Sequence, residues 1–482
     1  MNQNNTEDYN TTADESAQEA LIRNFDKIQP IEEEEEEEEI DHHSGSGKSE
    51  ASVFGASLNL FKGLVGIGVL ALPQAFSQSG WVAGLILMPV CAIAMLYLSH
   101  ELIRIAEMKQ SKAKNVVEFV KQTANRGHLI AVNACLFTFQ TGICISYVIF
   151  FLQYIQESFC NIDSSIYPCS SKLISVIISL SCLIPLVFIR DINKLKIWSM
   201  LGNCVVMISL TTVMIYSFYY LGTDGVGNIQ AVNWSSIGKS IGVFIFTFEG
   251  IGVYFNIRHS MKEPSLFNKV LNYSITVAVA LYCSVGLIGY LTFGSEVNDI
   301  ILFSFDQSNI PMQIIKFAYC IALIFSFPIQ IFPCVNVVES KLKKKIYVKA
   351  PQNFNQERPL ENNSDNSYIS SVQESQPLVD QVLKKQQDKK FFIFSSLTRL
   401  FFVFLTYLIG IIFDKISDFL SLTGNVCGIY LCYIIPVFVI YYQDKNLPKY
   451  KTILNFTIMI IAIGFGIYGL YCTILQIRDD FF

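Results

Sequence analysis

The 482-residue chain is 52% hydrophobic and only 16% charged, with a mean hydropathy of +0.41. Soluble domains average roughly 25% charged residues, so a soluble multidomain enzyme is excluded, as are a small secreted scaffold, a collagen and a coiled coil. The net charge of −5 hides a split: residues 1–50 hold 16 acidic against three basic residues, −13, and the other 432 hold 32 basic against 24 acidic, +8.

Half of the acidic residues of 1–50 form the run 32–39. Eight successive glutamates repel one another and bury nothing, so 1–50 is expected to be a disordered cytoplasmic tail. It has no apolar segment of the signal-peptide kind.

A helix needs roughly 20 apolar residues to cross a hydrocarbon core of about 30 Å. Runs of or near that length lie at 53–75, 82–104, 129–156, 173–189, 198–221, 236–257, 270–293, 312–338, 391–413, 417–441 and 453–476. Backbone groups have no water partner in lipid, so these runs predict helices. The expectation is an all-α polytopic membrane protein with eleven transmembrane helices, its transmembrane domain covering 51–476. The run 173–189 is short and 53–75 is interrupted by glycine, so these two stand out least by hydropathy.

Loop charge tests the count independently. Basic clusters follow the second span (Arg104, Lys109, Lys112, Lys114), the fourth (Arg190, Lys194, Lys196), the sixth (Arg258, Lys262, Lys269), the eighth (Lys341, Lys343, Lys344, Lys345) and the tenth (Lys445, Lys449, Lys451). The alternate loops are almost bare. Basic residues stay on the cytoplasmic side, so even-numbered spans end inside, and a short C-terminus, 477–482, is expected on the other face. The stretch 346–388, rich in Gln, Asn, Ser and Lys, is expected to be a disordered cytoplasmic linker.

Nearly all of the 13 cysteines sit within apolar runs, where cysteine behaves as a small hydrophobe. Only Cys160 and Cys169 share a polar loop, and they can form a disulfide if that loop faces an oxidising compartment. Among the Asn-x-Ser/Thr sequences, Asn233 alone falls in an outward loop and is the candidate glycosylation site. There is no CxxC, nucleophile elbow or P-loop, and Arg104 stands where an HExxH zinc site would need histidine. No cofactor, metal or nucleic-acid partner is implied.

The chemistry concentrates in two broken spans. In the first, Lys62-Gly63-Leu64-Val65-Gly66-Ile67-Gly68 places three glycines within six residues, with Pro73 beyond. Close helix packing through small residues is one reading; an unwound stretch freeing amides and carbonyls at mid-membrane depth is the better one. In the sixth, Glu249 adjoins Gly250 and Gly252. A carboxyl in an apolar run is a functional hypothesis by default, against a purely structural carboxyl satisfied by neighbouring backbone or by Lys62. Interruptions five spans apart are the pattern of a five-plus-five inverted repeat. A broken helix offers amides to the carboxylate of an amino acid and carbonyls to its ammonium.

Four segments then resemble the amino acid/auxin permease family, most closely its vacuolar and proton-coupled amino acid transporter branches. They are 62–73; Gln140-Thr141-Gly142-Ile143-Cys144-Ile145-Ser146-Tyr147; 248–264, from Phe248-Glu249-Gly250 to Lys262-Glu263-Pro264; and Gly289-Tyr290-Leu291-Thr292-Phe293-Gly294. Pro328-Ile329-Gln330-Ile331-Phe332-Pro333 resembles the vacuolar branch as well. The resemblance spans about 51–476. It implies a broken-helix transporter holding its substrate between spans 1, 3, 6 and 8.

On that basis Gly63, Gly66, Ile67 and Gly68 are expected to present backbone to the substrate, with carbonyls of Phe246, Thr247 and Phe248 opposite. Gln140 and Tyr147 would line the cavity. Glu249 would carry a proton or charge, with Lys62 and Asn59 as further coupling residues. Asn59 stands where proton-coupled animal members often have histidine, so the coupling ion stays open between a proton and sodium. Phe255, Asn256 and Arg258 also depart from the family pattern after Gly252. The function implied is secondary active transport of small neutral amino acids by alternating access, in a vacuolar, lysosomal or plasma membrane. The alternative is an amino acid sensor signalling through its cytoplasmic tail.

Overall fold

The computed structural model describes residues 51–162, 172–189, 192–306, 309–347, 366–413 and 415–481, without the side chains of 159–162, 192–199, 344, 366–383 and 480–481. The acidic tail 1–50, Cys169 and the side chain of Cys160 therefore lie outside the described residues, and with them the expected disulfide.

Among the described residues the chain is helix and loop, with one isolated bridge between Ala51 and Met261. Nine described helices are long and apolar enough to cross a membrane, ten if the bent pair Val53–Leu64 and Ile67–Ser79 is one span; Lys172–Val187 is a shorter apolar helix. Each apolar run of the sequence falls on one of these helices. The two weakest runs are the bent pair and the short helix.

The first span shows why. Ser52 caps α1 (Val53–Leu64), its hydroxyl accepting the Gly55 N–H at 3.2 Å. Val65 and Gly66 then turn extended, a short 3-10 helix runs over Ile67–Ala71, and α2 (Leu72–Ser79) carries Pro73 in its first turn, where no N–H is needed. The halves meet at 53°. Gly80 turns the chain with φ of 83°, and a Cβ there would lie 2.5 Å from the Ala231 carbonyl, so only glycine fits.

The long helices α3 (Trp81–Met108) and α5 (Arg126–Ile162) flank the short amphipathic α4 (Val116–Thr123). Next come α6 (Lys172–Val187) and α7 (Ile192–Thr223). The sixth span is again two helices, α8 (Ile237–Phe248) and α9 (Ile251–His259), parted at Glu249 and Gly250. Behind it, α10 (Phe267–Phe293) offers a small-residue face to the first span. Cβ atoms added at Gly286 and Gly289 would lie 2.5–2.6 Å from Phe76 and Pro73. Such close backbone approach is how helices associate where lipid removes the hydrophobic drive.

The loop 297–305 dips inward, with Ile300, Ile301 and Leu302 buried, and leads to α11 (Ile310–Ile346). Then α12 (Asn366–Ile412) starts well before its apolar run, so part of the stretch expected as an unstructured linker is helical. A membrane helix extends into its flank when the flank holds good helix formers such as Gln, Leu and Lys. Residues 348–365 of that linker lie outside the described residues. The tenth span joins α13 (Ile416–Thr423) to α14 (Ile435–Gln443) through π-helical turns at Gly424–Gly428 and Tyr430–Ile434, and α15 (Lys449–Phe481) follows. A Cβ on Gly424 would collide with the Gly242 carbonyl, so the sixth and tenth spans cross backbone to backbone. Of the nine described helices long enough to cross a membrane singly, these two are the most buried.

Candidate substrate site

The two breaks face one another. A Cβ on Gly68 would stand 3.2 Å from Thr247 Oγ1 and 3.3 Å from the Phe246 ring. Between and beside them lies a cavity of about 730 Å³, within the usual range of roughly 300–1,000 Å³ for small-molecule sites.

One wall is the first span. Gly63, Gly66, Ile67 and Gly68 line the cavity, with Lys62 and Asn59 nearer its mouth. Among the described residues the N–H groups of Gly66, Ile67 and Gly68 make no backbone hydrogen bond, whereas the Gly66 carbonyl accepts from Val69 at 3.2 Å. These are the orphan donors that every helix start leaves. A Cβ on Gly66 would meet nothing within 4 Å, so this glycine borders open space, and the packing reading does not describe it.

The facing wall is the sixth span. Phe246, Thr247 and Glu249 line the cavity. The Phe246 carbonyl already accepts the Glu249 N–H at 3.3 Å, and the Thr247 hydroxyl donates to Val243 at 2.7 Å. Glu249 Oε1 accepts the Gly252 N–H at 3.3 Å, so the carboxylate caps α9 at its positive end. Among the described residues Lys62 and Glu249 form no ion pair. Phe248 is the one candidate whose side chain points away, its ring 5.1 Å from Tyr282 in the packed interior. A helix rotates about 100° per residue, so three successive residues do not share a face.

The third and eighth spans complete the site. Gln140 and Tyr147 line it, and Gln140 Nε2 donates to Gln330 Oε1 at 2.9 Å across the two helices. Gln330 and the amides Asn133, Asn203 and Asn256 line the cavity without having been singled out as site residues from the sequence. The readable signal was a carboxamide inside an apolar run.

The mouth, with Asn59, Lys62, Asn133 and Asn256 exposed, opens beside α4, at the end of the bundle carrying the basic loops. The other end is shut. Phe139 stacks on Phe246 at 4.7 Å, and Phe150 packs on Phe303 at 5.4 Å and Tyr319 at 5.3 Å. Beyond this aromatic layer is a second hollow of about 600 Å³, reached from the opposite face and lined by Gln74, Gln153, Glu157, Asp299 and Lys415 among others. In the loop at that face, Asn233 is half-buried, its Nδ2 directed to the Ser77 carbonyl at 3.5 Å and its Oδ1 accepting from Ser235 at 2.7 Å.

Residues 49–475 match the family described as transmembrane amino acid transporter protein. The chain is similar to Vacuolar amino acid transporter 4 of Saccharomyces cerevisiae, 28% identical over 453 residues, which is 90% of this chain and 59% of that protein. It is 24% identical over 432 residues to the amino acid transporter ANT1 of Arabidopsis thaliana, 87% of this chain and 91% of that one. The crystal structure of MhsT in complex with L-phenylalanine aligns with a TM-score of 0.47 at 13% identity, over 89% of this chain and 100% of that one. The chain spans about half the length of the yeast relatives it matches, 59%, 44% and 42% for three of them. With the family match running through both broken spans and the helices around them, the chain belongs to the transmembrane amino acid transporter family, a family of transporters and not of enzymes.

Proposed function

We propose that this chain is a secondary active transporter of small neutral amino acids, built of eleven spans with a five-plus-five inverted repeat and working by alternating access. The observation that carries this reading is the pair of broken spans turned toward one cavity, with the amides of Gly66, Ile67 and Gly68 on one wall and Glu249 on the other. Those amides suit a carboxylate at a helix start. Carbonyls ending α1 and α8 suit an ammonium one carbon away. The cavity's opening among the basic loops supports a cytoplasm-open state, with the aromatic layer as the closed outward gate. Glu249 is the coupling residue in this reading, and Lys62 and Asn59 at the mouth tune its field, with a proton or sodium as the coupling ion. The names of the yeast relatives support a vacuolar membrane.

The test is uptake of labelled amino acids by proteoliposomes, with and without an imposed pH or sodium gradient. Saturable uptake of alanine or leucine that rises with one of these gradients is expected. Binding without flux would overturn transport and leave an amino acid sensor.

A further inference from the structure

A buried charge cluster lies at the closed end of the bundle, away from the substrate cavity. Lys239, in the first turn of α8, is fully buried and forms an ion pair with Asp418 of α13, itself 3% exposed. Lys239 Nζ also donates to Gln476 Oε1 of α15 at 3.1 Å. A second carboxylate, Asp299, approaches from the inward-dipping loop, its Oδ1 accepting the Ser417 hydroxyl at 2.9 Å. Asp299 feels both Lys239 and Asp418, and it lines the outward hollow together with Lys415 and Glu157. Glu157 has its own cation, Lys316, at 2.7 Å.

Only Asp418 reaches the buried ammonium; Asp299 stands beside that pair, tied to it through Ser417, the neighbour of Asp418. The first is satisfied by a direct ion pair; the second is stranded in a half-buried place beside a like charge, with Lys415 at the rim acting least on it. A carboxyl so placed holds its proton more tightly than a solvated one. Its loop is also the outward plug. Asn298 closes it on itself, its N–H donating to Ser304 Oγ and its Nδ2 to the Phe303 carbonyl, each at 2.8 Å. Phe303 then seats on Phe150, the residue one helical turn beyond Tyr147.

We propose that Asp299 is a proton-binding site reached from the outward face, and that its protonation locks the loop 297–305 onto the tenth span and holds the outward gate shut. The sign follows from linkage. Burial pushes the Asp299 carboxyl up to about 6, against about 4 for a solvated aspartate. A proton stabilises whichever state binds it more tightly, and that is the closed state, because opening returns the carboxyl to water. Near pH 7 the closed state has Asp299 mostly ionised beside Asp418, and the plug loosens. An acidic outward compartment keeps the carrier open to the cytoplasm. The meaning of the gate rests on the alternating-access reading; the proton site itself does not.

The experiment is hydrogen exchange of the full chain in lipid nanodiscs, following peptides across 297–305 from pH 7.5 to 5, corrected for the intrinsic rate. Protection should rise about tenfold as pH falls through 6, in step with the protonated fraction. Asp299→Asn keeps the acceptor for Ser417 and mimics the neutral acid, so it should be protected at every pH. Asp299→Glu should restore a pH dependence. Protection that ignores pH in the wild type, that falls with acid, or that still titrates in Asp299→Asn would overturn the proposal. Amino acid flux by the same preparation separates the two readings: absent flux with a titrating plug condemns the transporter reading alone, and normal flux with a pH-independent plug condemns this one alone.

Discussion

Glu249 Oε1 lies 3.3 Å from the N–H of Gly252, closing the first turn of the helix that resumes after the break in the sixth span. The same carboxylate borders the cavity between the two broken spans. It is therefore both a cap and a charge bordering the cavity, and substitutions separate the two roles.

Glu249→Gln keeps an oxygen that can accept from Gly252, so the protein should fold and insert normally. Gradient-driven accumulation should be lost while exchange without a gradient survives. Glu249→Leu removes the cap too, at about 1–2 kcal/mol, and should lower the melting temperature in detergent. Undiminished gradient-driven uptake by Glu249→Gln would eliminate the coupling role and leave the cap.

Gly66 and Gly68 make opposite predictions although they stand two residues apart. Gly66 has φ of −137°, open to any residue, and nothing lies near its missing Cβ. Gly66→Ala should be as stable as wild type and bind substrate about tenfold more weakly, about 1.4 kcal/mol, because its methyl occupies ligand space. Gly68→Ala pushes on Thr247 and Phe246, and should cost about 1–3 kcal/mol of stability. Thermal unfolding and equilibrium binding on both purified variants check this; equal binding by Gly66→Ala and wild type would remove Gly66 from the site.

At the basic-loop end, Arg399 of α12 holds Glu339 of α11 at 3.0 Å and donates to the Val187 carbonyl at 2.9 Å, while Ser395 donates to the same Glu339. Removing one partner of a buried pair strands the other, at about 3–5 kcal/mol. Arg399→Met should therefore unfold well below wild type in a detergent melt. Arg399→Met with Glu339→Leu should recover much of the loss, and a double variant no better than the single would show that the pair is not coupled.

Charge in the loops predicts sidedness. Cysteines placed at Lys112 and at Ser295 should react with an impermeant maleimide from opposite faces of sealed vesicles, position by position in mass spectrometry. Labelling of both from one face would break the alternation on which the orientation rests.

Much of this protein was legible in the chain itself. Each apolar run lies on a helix, because lipid leaves a backbone no other way to satisfy its polar groups. Both interruptions were visible as glycines beside Lys62 and Glu249, since a lost side chain and a charge in lipid are costs a continuous helix would avoid. The residues flanking them line one cavity for the same reason. Three-dimensional contact decided the rest. Phe248 turns from the cavity to Tyr282 because helical rotation separates it from Phe246. Gln330 enters the site through Gln140, a partner 190 positions away. Gly66 borders space whereas Gly424 meets the Gly242 backbone, a difference no glycine declares in sequence. Lys239, Asp418 and Asp299 sit far apart along the chain, and only packing pairs Lys239 with Asp418 and sets Asp299 on the adjoining Ser417. Periodicity and hydropathy are local properties, so the sequence alone determined where the apolar helices lie and where two of them break. Which side chains share a space depends on helices crossing at particular depths, and only the tertiary structure could decide it.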